Sequence, residues 1–299
     1  MKVAITGSSG LIGAALGKTL EGGGHSVVRM VRGASDAPDA MWDPRAGWIR
    51  PGAFEGVDAV VHLAGESIGE GRWTESRRKL LLDSRVVPTR LLVSHLAEMA
   101  NPPLLVSASA IGYYGNRGDE VLNEQSGRGS GFLADVTNAW EEAASSGRES
   151  GVPTTILRFG VVLSRKGGAF PRMLLPFRFG AGGTLGRGRQ WMSWVTLDDV
   201  VGAIGHVIET KTQGTFNVTA PGPVTNREFT KALAKAVHRP ALFPVPPIAL
   251  RLLLGDAADE LLLASQRVDP SRLEATGFHF QQRDIAAGIA TALKGTSSE

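Results

Sequence analysis

VAITGSSGLIGAAL, residues 3–16, decides how the rest of the chain is read. A short β-rich run enters a turn carrying Gly7, Gly10 and Gly13, and an apolar-periodic helical pattern leaves it. Glycine permits a tight turn and close backbone approach. The N–H groups that open the helix, with the positive end of its dipole, make a seat for a pyrophosphate. The spacing is G-x-x-G-x-x-G, unlike the G-x-G-x-x-G of the dehydrogenase fingerprint. A glycine triplet alone is a weak signal; its place at the first strand-to-helix turn of an alternating chain gives it weight. Thr6, Gly7, Ser9, Gly10, Leu11, Ile12 and Gly13 are therefore the first candidate cofactor residues.

Outward from this turn, β-rich runs at KVAIT, SVVRMV, DAVVHLA, LLVSAS, TTILRF and TFNVTA alternate with helical patterns at LIGAALGKTLEG, ESRRKLLLDSRVVPTRLLVSHLAEMA and LADVTNAWEEAASSGRES. Apolar residues return every three or four positions in the helices. DAVVHLA and TTILRF are nearly continuous apolar runs, as strands buried on both faces must be. The pattern predicts an α/β fold, a doubly wound parallel sheet of Rossmann type with a smaller C-terminal substrate lobe. The nucleotide-binding domain spans 1–220, with 165–190 looping toward a mostly helical lobe at 221–299.

Composition removes several function classes. The chain has 299 residues, 42% of them hydrophobic, enough for a sizeable core. No cysteine means no disulfide, thiolate nucleophile or thiolate zinc site. The six histidines show no metal-ligand spacing, no carboxylate cluster accompanies them, and no metal is expected. No apolar run suits a membrane helix, since Arg251, Asp256, Asp259 and Glu260 break the best one. A cytoplasmic protein is expected.

An NAD-binding fold places an acid after its second strand, on the ribose 2′-hydroxyl. Here that region reads VVRMVRGAS, offering Arg32 first and Arg29 second, and the next acid is Asp36. A guanidinium suits a 2′-phosphate, and one charge-assisted contact of about 1.5 to 3 kcal/mol favours NADP over NAD by about 10- to 150-fold.

Several stretches together resemble the extended short-chain dehydrogenase/reductase superfamily, and more narrowly its atypical "epimerase family protein" group with an extra C-terminal domain of undefined function. They are TGSSGLIG, DAVVHLAGESIGEGRWTESRRKLLLDSR, VSASAIGYYG, LRFGVVLSRKGGA, GRGRQWMSWVTLDDVVGAI, FNVTAPGPVTN and LLLASQRVDPSRLEATGFHF. The resemblance implies NADP(H) as cofactor and a substrate lobe, but no particular substrate. It also implies that the LAGES turn, with Leu63, Ala64 and Gly65, lies against the cofactor, with Ser107 beside it. Homodimers through sheet-flanking helices occur among relatives; this chain leaves that open.

The wider superfamily uses a Tyr-x-x-x-Lys pair for acid/base work. The matching stretch is GFLADVTNAWEE, residues 131–142, which has neither residue; the chain's two tyrosines, Tyr113 and Tyr114, are followed four positions later by Arg117 and Gly118. At the carboxyl end of the fourth strand, Ser109 matches the superfamily's serine, and Tyr114 or Tyr113 is the candidate substitute acid; both rings could instead wall the pocket. Glu66 is a candidate substrate or acid/base residue and equally a loop cap. Arg72, Lys79 and Arg85 read as a solvated face or as substrate contacts. Between Ser150 and Leu197 there is no acid, while Arg158, Arg165, Lys166, Arg172, Arg178, Arg187 and Arg189 are basic. This favours a small anionic substrate, with Arg187, Arg189 and Gln190 of GRGRQW nearest to it. Nucleic acid is the rival, but the interleaved aromatics fit core spacing, so none is expected as a partner. His62 reads as a hydrogen-bonded core residue, and Asp198 and Asp199 as the start of a helix. Two functions remain: an NADP(H)-dependent oxidoreductase or epimerase with a non-standard acid, or a non-catalytic NADP(H)-binding sensor or scaffold.

Overall fold

The computed structural model describes residues 1–33 and 41–294. Six parallel strands form the central sheet: β1 (Lys2–Thr6), β2 (Ser26–Met30), β3 (Ala59–His62), β4 (Leu104–Ala110), β5 (Thr154–Phe159) and β6 (Gly214–Val218). Their order across the sheet is β6-β5-β4-β3-β1-β2. β2 therefore lies on one side of β1 and β3 on the other, with Ala4 opposite both Val28 and Val60. Winding reverses at β1, and a crevice opens beyond the carboxyl ends of β1 and β3. Past the end of β2, Arg32 bridges Trp42 in parallel, and a Trp42–Asp43/Trp48–Ile49 hairpin takes up that edge.

The apolar runs are strands because both of their faces are covered. Helices α1 (Leu11–Gly22) and α5 (Leu197–Glu209) pack together on one face, burying Leu16, Leu20, Val200 and Ile204 against Val3, Ile5 and Val61. Helices α2 (Glu75–Ala97) and α3 (Phe132–Glu149) pack together on the other, with Leu92 and Leu96 against Ala4, Val60 and Leu105. Among the described residues no helix is long and apolar enough to cross a membrane.

The segment expected to loop outward contains a helix, α4 (Phe170–Arg178), which buries Phe170, Leu174 and Phe177. Beyond β6 follow α6 (Asn226–Ala236), started by a Thr225/Glu228 capping box, then α7 (Pro247–Leu254), the single turn α8 (Ser271–Glu274) and α9 (Ile285–Lys294). From Arg267 onward the chain returns to the sheet. Arg267–Val268 pairs with Val121–Leu122, and Leu273, Phe278 and Phe280 join the main core. Asp199 secures the return, accepting hydrogen bonds from the Gln281 and Gln282 amides while closing the Thr196 cap of α5.

α9 docks through Gly288, where an added Cβ would lie 2.3 Å from the fully buried Trp194 ring. Gly288→Ala should destabilise the protein by about 1 to 3 kcal/mol. Gly205→Ala, in a helix with no atom within 4 Å of the added carbon, should leave stability unchanged or raise it by up to about 1 kcal/mol. Urea unfolding of both variants checks the contrast; equal effects would contradict the packing at Trp194.

Candidate functional site

The crevice is built on close glycine contacts, and at Gly7 and Gly13 no side chain fits. Gly7 has φ +66°, and a Cβ there would fall 2.9 Å from the Leu63 carbonyl carbon. A Cβ on Gly13 would fall 2.3 Å from the Gly7 oxygen, and one on Gly10 3.2 Å from it. The first turn of α1 thus sits directly on the loop, and the loop on the turn after β3. Ser9, Gly10 and Gly65 are exposed at the rim, Leu11, Ile12 and Leu63 half-exposed beside them, and Ala64 buried beneath. The sequence grouped these residues, and the fold brings them together.

Thr6 and His62 hold this edge from below. Thr89 donates to the Arg85 carbonyl, so its oxygen accepts from His62 Nε2 at 3.0 Å, leaving Nδ1 to accept from Thr6 at 2.7 Å. The Thr6 oxygen in turn accepts from the amides of Leu63 and Ala64. Burial, seconded by the charge on Arg85, drives the His62 pKa down to about 3, so the imidazole is neutral. Thr6 is therefore a fully buried strut of the crevice.

Beside β2, Arg29 pairs with Glu21 of α1 at 2.8 Å, whereas Arg32 is exposed past the strand's end. Of the two arginines expected near a 2′-phosphate, Arg32 is the one without an ion pair among the described residues. Asp36 lies outside the described residues.

After β4 the structure departs from expectation. Ser109 is 3% exposed and donates to Glu141 at 2.6 Å; Arg158 closes a two-pronged ion pair on the same carboxylate at 2.8 and 2.7 Å. Tyr114 is fully buried, accepting from Arg158 at 2.9 Å and donating to Asn217 at 2.8 Å. Burial pushes the Tyr114 phenol up to about 12 against the pull of Arg158. For Arg158, burial opposes the charge, but the hydrogen bonds and attraction of Glu141 outweigh it and its pKa rises. Ser107 is 1% exposed and donates to a neighbouring carbonyl. Expected at the rim, these three side chains face inward, because residues two apart on a buried strand share a covered face and the next turn tucks Tyr114 beneath it. Tyr113 is half-exposed, with the Arg158 guanidinium 3.5 Å from its ring centroid and no partner on its hydroxyl among the described residues.

In the stretch that lacks the Tyr/Lys pair, the residues four apart on the inward face of α3 are Leu133 and Thr137, which abut Gly112. Thr137 donates to the Leu133 carbonyl. Sequence reasoning missed Glu260. Its carboxylate accepts from the amides of Phe132 at 2.9 Å and Leu133 at 2.7 Å, supplying the N-terminal cap that Gly131 cannot. A cleft of ≈140 Å³ lies here, lined in part by Gly112, Asn116, Leu133, Glu260 and Gln266. The glycine preceding α3, which leaves that helix without a side chain to cap it, was the available signal.

The LAGES-to-SR segment folds upon itself. Glu66 donates its amide to Ser84, receives Arg85 on its carbonyl at 2.9 Å, and faces Arg77 at 3.6 Å. Arg85 is buried over Gly65 and Trp140, and burial lowers its pKa to about 10, with Glu66 opposing and Arg77 adding. Arg72 reaches the Leu252 carbonyl, Arg78 pairs with Asp256, and Lys79 pairs with Asp83. Arg72 and Arg78 tie this segment to the C-terminal one, whereas the Lys79–Asp83 pair lies within α2. In the basic stretch, Arg187 and Arg189 are exposed, whereas Gln190 is engaged with the Leu185 and Leu262 carbonyls. Phe170, Phe177 and Trp194 are buried in core.

Residues 3–219 match the NAD dependent epimerase/dehydratase family, and residues 245–292 a domain of unknown function, DUF1731. The chain is 44% identical over 297 residues to an epimerase family protein of Mycobacterium tuberculosis, covering 98% of each. It is 35% identical to the epimerase family protein YfhF of Bacillus subtilis, covering 97% of each. Among solved structures it superposes on the human epimerase family protein SDR39U1 with NADPH at TM-score 0.86 and 32% identity, covering 97% of this chain and 98% of that one.

Two outcomes follow from the buried groups. Native His62 refuses a proton that unfolded histidine takes up near pH 6.5, so its contribution to stability is lost as pH falls from about 6.5 to about 3. Denaturation midpoints across this window should slope in the wild type and flatten in His62→Gln. Tyr114→Phe strands one buried donor and one buried acceptor and should cost about 1 to 3 kcal/mol. It should also flatten the loss of stability between pH 10 and 12 that the raised phenol imposes.

Proposed function

The chain belongs to the NAD dependent epimerase/dehydratase family, and on that premise we propose that it binds NADP(H) across the carboxyl ends of β1 and β3 and uses it as an oxidoreductase or epimerase on a small anionic compound. The observation that supports this reading is the glycine stack, in which Gly13 packs on the Gly7 carbonyl and Gly7 on Leu63, setting the N-terminus of α1 directly behind the loop after β1. The exposed Arg32 supports the phosphorylated cofactor, as does the NADPH complex of the human relative. When bound, NADP(H) supplies the hydride. The residues that would hold it are Gly7–Gly13, Leu63–Gly65 and Arg32.

For the acid, Tyr113 is favoured over Tyr114. Its hydroxyl has no competing partner among the described residues, whereas that of Tyr114 is engaged on both sides. Ser109, engaged by Glu141, is a positioning residue for the Tyr113–Tyr114 turn. Arg187 and Arg189 are the substrate's anion contacts, and the segment from 221 on completes the substrate side. The working environment is cytoplasmic, with neither nucleic acid nor membrane as a partner. A second reading, a non-catalytic NADP(H) sensor, draws on Leu133 and Thr137, which fill the face where a Tyr/Lys pair would act.

Titration of intrinsic fluorescence with NADPH and NADH should give saturable binding with NADPH tighter by about 10- to 150-fold. Arg32→Ala should bring the two to near parity. Equal losses for both cofactors would remove Arg32 from the 2′-phosphate, and binding of neither would overturn the reading. Tyr113→Phe should leave NADPH affinity within about twofold while abolishing turnover on any substrate found; unchanged turnover eliminates Tyr113 as the acid.

A further inference from the structure

Three helices of the second half of the chain meet around a hollow that shares no residue with the crevice. α4 packs on α6, and α6 on α9. Leu174 and Arg178 of α4, Leu293 of α9, and Val237 and Arg239 just past α6 line a hollow of ≈320 Å³, large enough for a small organic ligand. The lining divides into apolar side chains and cations. Leu174 is buried in the cluster of Phe170, Phe177 and Leu233, and Val237 and Leu293 are half-buried against it. Arg178 and Arg239 are exposed, and neither guanidinium has a hydrogen bond, ion pair or ring contact among the described residues.

No acid answers them. The sequence has no Asp or Glu between Glu149 and Asp198, between Glu228 and Asp256, or between Asp284 and Glu299, and these three intervals hold every residue of the lining. Nor are the two guanidiniums spent on the helix ends, whose carbonyls attract cations. The Pro176 and Phe177 carbonyls at the end of α4 accept from the Ala181 and Gly180 amides. Those of Ala234 and Lys235 in α6 accept from the Arg239 and His238 amides. Those of Ala292 and Leu293 in α9 accept from the amide and the guanidinium of Arg165. A hollow lined by one sign of charge beside apolar, low-dielectric side chains concentrates counter-ions.

We propose that this hollow binds a small organic oxyanion, its carboxylate or phosphate on Arg178 and Arg239 and its apolar body on Leu174, Val237 and Leu293. Arginine presents paired N–H donors that match either head. The apolar half of the lining selects an anion that carries carbon over a bare inorganic ion. The assignment stands apart from the cofactor reading, because none of these five residues holds NADP(H) in it.

The test is isothermal titration calorimetry of the full chain with 1-naphthyl phosphate and with 1-naphthoate, each with and without NADPH. One-to-one binding of at least one probe is expected, unchanged by NADPH and weakened about tenfold or more in Arg178→Gln/Arg239→Gln, which removes two charge-assisted contacts. Both arginines are exposed, so this variant should keep the wild-type urea midpoint. Arg45→Gln/Arg90→Gln removes the same charge from other exposed positions and should leave probe affinity within about twofold. 1-Naphthol, the same ring without the charge, should show no saturable binding. The proposal is overturned by absence of saturable binding of both acids, by their displacement with NADPH, or by equal affinity in Arg178→Gln/Arg239→Gln. An equal loss in the Arg45/Arg90 variant would reduce the effect to general charge attraction, and 1-naphthol bound as tightly as the acids would reduce it to apolar contact; either result also overturns it.

Discussion

The absent Cβ of Gly13 is the constraint on which the site depends. The Gly7 carbonyl occupies the space that any side chain at position 13 would need, so α1 begins in direct contact with the loop ahead of it. That contact fixes the start of α1 against the loop, and Gly7 lets the same loop press against Leu63 and Ala64 after the neighbouring strand. Thr6 and His62 complete the edge from beneath, each polar atom matched, so that neutral histidine is as much a structural element as the valines beside it.

A second buried device occupies the region where the wider superfamily does its acid/base chemistry. Glu141, Arg158, Ser109, Tyr114 and Asn217 form one hydrogen-bonded chain linking α3, β5, β4 and β6. Breaking one member of such a set strands the others in a low-dielectric interior, which makes it rigid. Its rigidity explains why Ser109 and Tyr114 do not reach outward, and it also fixes the backbone that presents Tyr113.

The C-terminal segment reaches into both halves of this arrangement. Glu260 caps the helix that lacks its own cap, the Leu252 carbonyl anchors the loop leaving Gly65 and Asp256 the start of α2, and Phe278 and Phe280 join the sheet's core. It therefore packs on the loop after Gly65, on the start of α3 and on the sheet's core rather than standing apart from them.

Sequence periodicity determined the sheet, its doubly wound class and the glycine turn, because strand alternation, helical return and glycine spacing are local properties of the chain. It also identified His62 as a core residue, since that follows from one element's pattern. Which polar side chains face the crevice was decided only by tertiary structure. Ser109 and Tyr114 lie at the expected place along the chain, yet their partners Glu141, Arg158 and Asn217 come from three other elements. The capping of α3 by Glu260, 127 and 128 residues away from the amides it meets, has the same origin. Spacing along a chain encodes backbone direction, whereas a side chain's choice between solvent and interior depends on which distant group arrives to meet it.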